Sequence, residues 1–187
     1  MSGLQLDFVV YLGDPDEGAE AVESAKFLAD AEQHKAVVTF PDAYGALTMR
    51  KGDKDMLPRL PDPIFGQITN MVRAVQSLID GEPETQQWSE SEHAISIEPD
   101  GDDVIISVFE GDAFEPEEFL VEEETMSLDA FGDQVLSMGK RLAAILQKVD
   151  PDGFENDDYL KGLTEFLELS GSEFKTFRLA KQRGLRV

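Results

Sequence analysis

The chain contains no cysteine, and this absence removes several kinds of protein from consideration. Disulfide-stapled scaffolds, thiol catalysis and cysteine-ligated zinc all require the missing side chain. The two histidines, His34 and His93, lie in unrelated segments and match no metal-ligand spacing. Nucleophile-elbow, Walker and dinucleotide-binding glycine motifs are missing as well. The sequence therefore predicts a non-catalytic protein that holds neither a metal nor a cofactor.

Long apolar runs are also missing. No stretch approaches the roughly 20 apolar residues of a membrane-spanning helix, and the N-terminus lacks the basic start and apolar core of a signal peptide. A cytoplasmic protein without a membrane partner is the resulting prediction. Because 187 residues suffice to bury one core, we predict a single α+β domain over residues 1–187, with a basic C-terminal segment at 174–187.

Positive charge is scarce. Lys and Arg together number 16 against 39 Asp and Glu, which gives a formal net charge of -23. The interval between Arg73 and Lys140 contains no base and holds 19 of the acids. Most of these carboxylates must face solvent, because unpaired buried charges are costly. Such a field repels nucleic acid and anionic lipid, and it attracts a basic surface.

Apolar residues with a clear period run through the acidic interval, so it is predicted to fold. Alternating or continuous apolar runs predict strands at residues 4–12, 36–40, 44–50, 93–98, 103–110 and 117–124. Helical spacing predicts helices at residues 19–32, 63–80, 127–149 and 156–171. Ser127 and Asn156 are the expected N-caps, and Gly171 is the expected end of the last helix. The predicted fold is α+β, with an antiparallel sheet of about five or six strands and helices packed mainly on one face.

The C-terminal segment reverses the sign of the charge. Five bases follow the last acid, Glu173: Lys175, Arg178, Lys181, Arg183 and Arg186. Phe174 and Phe177 supply an apolar edge beside them. We therefore predict that this segment docks on the acidic body as a short helix, although a solvated, frayed terminus is the ordinary alternative.

Aspartate-rich turns favour a third kind of function, metal-dependent hydrolysis. The EF-hand-like run that begins at Asp150 fails, because Lys161 stands where the bidentate glutamate belongs. Asp100, Asp102 and Asp103 flank one glycine, a pattern typical of turns as well as of weak ion sites. A hydrolase that uses these acidic turns is kept as an alternative.

The only tryptophan, Trp88, lies in an acidic loop. It is interpreted either as an aromatic folded back on the core or as an interface anchor surrounded by acids. Phe109, Phe114 and Phe119, around the next acidic loop, carry the same two interpretations. The predicted partner-binding residues are Trp88, Glu110, Asp112, Glu115, Glu117, Glu118, Glu122 and Glu124.

These observations favour a binding protein that captures a basic protein surface. In a bacterium, a small acidic protein of this kind fits an immunity protein that neutralises a cognate toxin, because toxins that act on nucleic acid carry basic clefts. The first alternative is a structural or chaperone-like adaptor whose acidic surface is only solvated. The second is the hydrolase described above. No nucleic-acid partner is expected.

Overall fold

The computed structural model describes residues 3–112 and 115–184. Within these ranges the chain has an α+β fold with two antiparallel sheets, which corrects the prediction of one sheet of about five or six strands. We call the sheets A and B in chain order. Sheet A comes from the first third of the chain, and sheet B lies wholly inside the base-free interval.

Sheet A is built around one long strand pair. Its strands are β1 (Leu4–Tyr11), β2 (Ala21–Glu23), β3 (Tyr44–Lys51), β4 (Lys54–Asp55) and β5 (Asp62–Pro63). Their order is β2-β1-β3-β4, and β5 also pairs with β3. The predicted strands at 4–12 and 44–50 are confirmed as β1 and β3. The predicted strand at 36–40 is wrong, because residues 36–40 form turns and coil that bury Val38 and Phe40.

Sheet B is a meander. Its strands are β6 (Glu84–Gln87), β7 (His93–Asp100), β8 (Asp103–Asp112) and β9 (Glu115–Ser127), in the order β6-β7-β8-β9. Ile95, Ile97, Ile106 and Val108 are buried on its inner face, as the period-two pattern predicts. The register of β8 and β9 shifts at irregularities, one of which lies near Glu123, whose φ is 51°. Bulges of this kind bend and twist a strand.

Six helices complete the described residues: α1 (Ser24–Ala29), α2 (Ala31–His34), α3 (Ile64–Ile79), α4 (Leu128–Val149), α5 (Pro151–Asn156) and α6 (Asp158–Gln182). The predicted cap of α4 is confirmed, since the Ser127 hydroxyl accepts a hydrogen bond from the Ala130 backbone N–H. Asn156 is not a cap: the Asp157 carboxylate accepts from the first N–H groups of α6 instead. Among the described residues, no helix combines the length and apolar character that crossing a bilayer requires.

The predicted helix at 19–32 is partly wrong. Its first residues form β2, where Val22 pairs with Val10 of β1, and the helical part begins only at Ser24. The last predicted helix also differs, because α6 does not end at Gly171 but continues to Gln182. Gly171 has helical backbone and open space around it, so nothing there stops the helix.

Helix α4 connects the two sheets through one hydrophobic core. Its buried residues, which include Phe131, Leu142 and Ile145, belong to the same cluster as buried residues of β1 and β8. Helix α4 also packs against α3 and α6. The two sheets therefore share their interior rather than forming separate cores.

The described part of the basic segment is docked, as predicted. Phe174 is buried, and its ring lies so close to Gly132 of α4 that a Cβ there would overlap it. Arg178 donates to Asp133 at 2.9 Å, and Lys181 Nζ lies 2.7 Å from Asp102 Oδ1. Arg186, also expected in this segment, lies outside the described residues. Apolar packing holds the segment, since exposed ion pairs each contribute only about 0 to 1 kcal/mol.

Candidate binding surface

Most of the predicted acidic residues lie on the β8–β9 hairpin. Glu110 stands directly opposite Glu118 across the strands, and Asp112 stands opposite Glu115. Glu115, Glu117 and Glu118 are exposed, while Glu110 is half-buried. Like charges in directly opposed positions destabilise a strand pair. The apolar inner face of the sheet must therefore hold this end together against its own repulsion.

The connection between β6 and β7 brings a further acid to the hairpin. The Gly111 backbone N–H donates to the Glu92 carbonyl at 2.7 Å, and His93 pairs with Glu110 across β7 and β8. The exposed Glu92 carboxylate thus belongs to the same end of the sheet. We call this surface the acidic end of sheet B and define it by Glu92, Glu110, Asp112, Glu115, Glu117 and Glu118.

An exposed aromatic ring lies beside these acids. Phe119 pairs with Phe109 across β8 and β9, and their ring centroids are 5.7 Å apart in an edge-to-face arrangement. Phe109 is buried, whereas Phe119 remains 44% exposed. The two aromatic interpretations therefore divide: Phe109 packs inward and Phe119 offers an apolar contact. Phe114 lies outside the described residues.

Three predicted site residues do not join this surface. Trp88 is only 4% exposed and belongs to the main core cluster, so the core-packing interpretation is the one that fits and an exposed anchor role does not. Glu124 pairs with Lys51 of sheet A, at 2.7 Å between Nζ and Oε2. Glu122 is exposed but lies beyond a register shift, farther along β9.

The aspartate-rich turn between β7 and β8 offers no converged ligand set. Asp100 and Asp103 are paired residues at the ends of the two strands, and Asp102 receives the Lys181 ammonium group. Across residues 3–112 and 115–184, no group of three His, Asp or Glu side chains is arranged to hold a metal ion. The hydrolase alternative therefore gains no structural argument.

The negative field extends from sheet B towards sheet A. It raises the pKa of Tyr44 above its ordinary value, chiefly through the charge of Glu90. Desolvation and the charges of three aspartates act in the same direction: Asp14, Asp16 and Asp62. A tyrosine of β3 thus responds to an acid of the β6–β7 connection.

A buried aspartate that the sequence analysis did not single out ties the two sheets together. Asp62 Oδ1 accepts hydrogen bonds from the Ser89 N–H and hydroxyl, each at 2.8 Å, and from the Glu90 N–H at 3.0 Å. Desolvation raises the pKa of Asp62 above 3.8, and these donors oppose the rise. In the sequence, its place between two prolines indicates only a connector, because its donors lie 27 and 28 positions away.

Comparison with models of protein families, with curated proteins and with solved structures finds no match to this chain. The argument for function therefore depends on the geometry and charge described above.

Proposed function

We propose that this protein is a non-catalytic binding protein that captures a basic protein surface through the acidic end of sheet B. The observation that carries the proposal is the combination of a sheet without any Lys or Arg and an exposed aromatic at its most acidic end. The six acids surround Phe119 with negative charge, and no basic residue of the same sheet neutralises it.

Each part of this surface has a distinct physical role. A concentrated negative potential accelerates the encounter with a positive surface, by 10- to 1,000-fold in strongly steered systems. Its reach is about 8 Å at physiological ionic strength, so steering acts mainly at close approach. An aromatic ring that becomes buried on binding slows dissociation instead. We assign steering to the carboxylates and retention to Phe119.

Within bacteria, the proposal is an immunity protein that neutralises a cognate toxin. A toxin that cleaves nucleic acid needs a basic cleft to hold phosphates. An acidic surface of comparable charge would occupy that cleft and exclude the substrate. Because such a toxin finds its substrate in the cytoplasm, this is the compartment that the proposal assigns.

The decisive experiment neutralises the acidic end and leaves the fold intact. The variant E110Q/E115Q/E117Q/E118Q removes four charges there, and the control E17Q/E32Q/E155Q/E165Q removes four exposed charges elsewhere. Where a gene for a basic toxin domain lies beside the gene for this chain, the two products are the pair to test. We expect the first variant to associate about tenfold more slowly at low salt and to lose protection in a growth assay, and the control to keep both.

Two measurements separate this proposal from an adaptor whose charge is only solvated. Stopped-flow association with the wild type should slow steeply as salt rises, since screening weakens steering. A flat salt dependence, or an equal loss in the control variant, would overturn the proposed surface. Phe119→Ala should accelerate dissociation by roughly tenfold, whereas Leu179→Ala, which truncates a side chain of the same 44% exposure on α6, should not.

A further inference from the structure

A small polar cavity opens between the start of α3 and the connection that follows β6. Its volume is about 100 Å³. The side chains that matter to its chemistry are Asp62, Gln67, Asn70, Gln86 and Trp88. A water molecule occupies about 30 Å³ in the liquid, so the cavity has room for a group larger than one water.

Three polar atoms of the cavity-lining residues lack a hydrogen-bond partner among the described residues. They are both amide atoms of Gln67 and the indole Nε1 of Trp88. Gln67 is 8% exposed, and Trp88 is buried more deeply still. Because both ends of the Gln67 amide are unpartnered, exchanging its oxygen and nitrogen would not satisfy them. Most buried polar groups in proteins have a partner, so three orphans around one cavity indicate a partner from outside the chain.

The cavity wall is fixed by its own hydrogen bonds. Asp62 holds Ser89, the residue after Trp88, through both the backbone N–H and the hydroxyl. Gln86 Nε2 donates to the Asn70 carbonyl at 2.7 Å, which ties β6 to α3. These bonds hold the orphaned groups on an ordered frame, as a binding site requires.

We propose that this cavity binds a carboxamide group. The Gln67 amide presents a donor and an acceptor side by side, and a second carboxamide presents the complementary pair in the same spacing. The Trp88 indole N–H can donate to a remaining lone pair of the ligand's carbonyl oxygen. A carboxylate lacks the donor that Gln67 Oε1 needs, and it would face the buried Asp62 charge. An ammonium group lacks an acceptor for either donor.

The same chemistry has two sources, a free small amide or the Asn or Gln side chain of a bound protein. The site stands independently of the acidic end of sheet B for the first source. For the second it adds a specific contact to the proposed function, since Trp88 and Glu92 belong to one connection. The experiment below tests the shared chemistry first and then separates the sources.

The single tryptophan reports on this cavity directly. We expect acetamide to change Trp88 fluorescence saturably in the full chain, with a dissociation constant in the millimolar range, as suits so small a ligand. Acetate, which lacks the donor, and N,N-dimethylacetamide, which lacks it and is bulkier, should leave the signal unchanged. Absence of a saturable response to acetamide in the folded protein would show that the cavity holds water only and would overturn the proposal.

A matched pair of variants locates the response. Gln67→Met keeps the side-chain length and removes both amide atoms, so it should weaken acetamide binding at least about tenfold. Ser170→Ala removes another buried hydroxyl without a partner among the described residues, away from the cavity, and should change nothing. Equal binding in wild type and Gln67→Met would contradict the assignment. If Gln67→Met does not fold, discrimination among the three probes by the wild type decides.

Capped amino acids identify the source. N-acetyl glutamine and asparagine methylamides carry the carboxamide as a protein side chain does, and capped glutamate and aspartate are their charged controls. Saturable binding of a capped amide assigns the site to a protein side chain. Binding of acetamide alone assigns it to a free small amide. Binding of the charged controls with equal affinity would refute the carboxamide specificity.

Discussion

The two sheets of this protein use acidic residues in opposite ways. In sheet A, Arg50 binds both Glu23 and Asp55, at 2.9 and 2.6 Å, and Arg141 of α4 reaches Asp7 of β1 at 2.6 Å. The four strands of sheet B contain no Lys or Arg. Their carboxylates meet a base only where another part of the molecule supplies one, as Lys51 does for Glu124.

This difference teaches that acidity alone does not define a binding surface. An acid of sheet A contributes to the cohesion of its own strands and helices. An acid at the end of sheet B faces solvent or another acid, so its interaction energy is available to a partner. The charge count of the chain does not distinguish the two cases, but the placement of the 16 bases does.

The comparison assumes one cooperative body, and Leu142→Ala tests that assumption with the largest expected effect. Leu142 is fully buried on α4, which packs against β1 of sheet A and against β8 and β9 of sheet B. Truncation should lower the free energy of unfolding by about 2 to 5 kcal/mol. Urea unfolding followed by Trp88 fluorescence and by far-ultraviolet circular dichroism should give coincident transitions. Separate transitions would show that the sheets are independent, and the exposed Leu169→Ala should change stability by less than about 0.5 kcal/mol.

Gly132→Ala should have the next largest effect, because it displaces the helix that brings cations to sheet B. A Cβ at Gly132 would overlap the Phe174 ring, so α6 must shift, at a cost of about 1 to 3 kcal/mol. Gly171→Ala lies on the same helix in open space and should instead stabilise the protein by up to about 1 kcal/mol. Thermal unfolding of both variants checks the pair, and equal effects would mean that Phe174 is not packed as described.

Arg141→Met sharpens the contrast directly. It removes the cation that binds Asp7 in sheet A and should destabilise the protein by about 1 kcal/mol, a value kept small because the pair is partly exposed. Glu117→Gln removes an exposed charge from sheet B and should leave stability unchanged or slightly higher. Denaturant unfolding at two salt concentrations measures both, and the loss in Arg141→Met should shrink as salt is added. Destabilisation by Glu117→Gln would contradict the proposed difference between the sheets.

Glu118→Gln should give the smallest effect, a gain. It relieves the repulsion between Glu118 and the directly opposed Glu110, which is expected to add about 0.2 to 1 kcal/mol to the free energy of unfolding. Glu98→Gln is the control, since Glu98 stands opposite Ile105. The gain should disappear in high salt, and an equal gain in the control would show a general charge effect instead of a pairwise one.

The strongly periodic elements were predictable from the sequence. Helices α3 and α4 follow their apolar spacing, and strands β7 and β8 follow their alternation around the turn at residues 99–102. Strand β6 escaped prediction because Glu84–Gln87 contains no apolar side chain. Its Glu84 and Gln86 side chains bond to Ser77 and Asn70 of α3, so polar contacts replace burial. The apolar run at 36–40 misled in the opposite direction, since it buries side chains without pairing as a strand.

The candidate surface was predictable only in its charge. A base-free interval indicates that many carboxylates face solvent, and Glu115, Glu117 and Glu118 do. The sequence does not indicate that Glu124 meets Lys51, because the two residues are 73 positions apart and belong to different sheets. Nor does it distinguish a buried Trp88 from an exposed one, since both are compatible with an acidic loop.

Strand β9 has a consequence for the behaviour of the protein at high concentration. It is the last strand in the order of sheet B and runs for 13 residues, a length at which an edge is open to pairing with a second copy. Six glutamates along it would come within about 5 Å of their counterparts in such a pair, so ionised β9 strands repel one another. As the pH approaches the sequence pI of about 4.2, protonation removes this protection. Reversible edge-to-edge association should therefore set in under mildly acidic conditions, before the core unfolds.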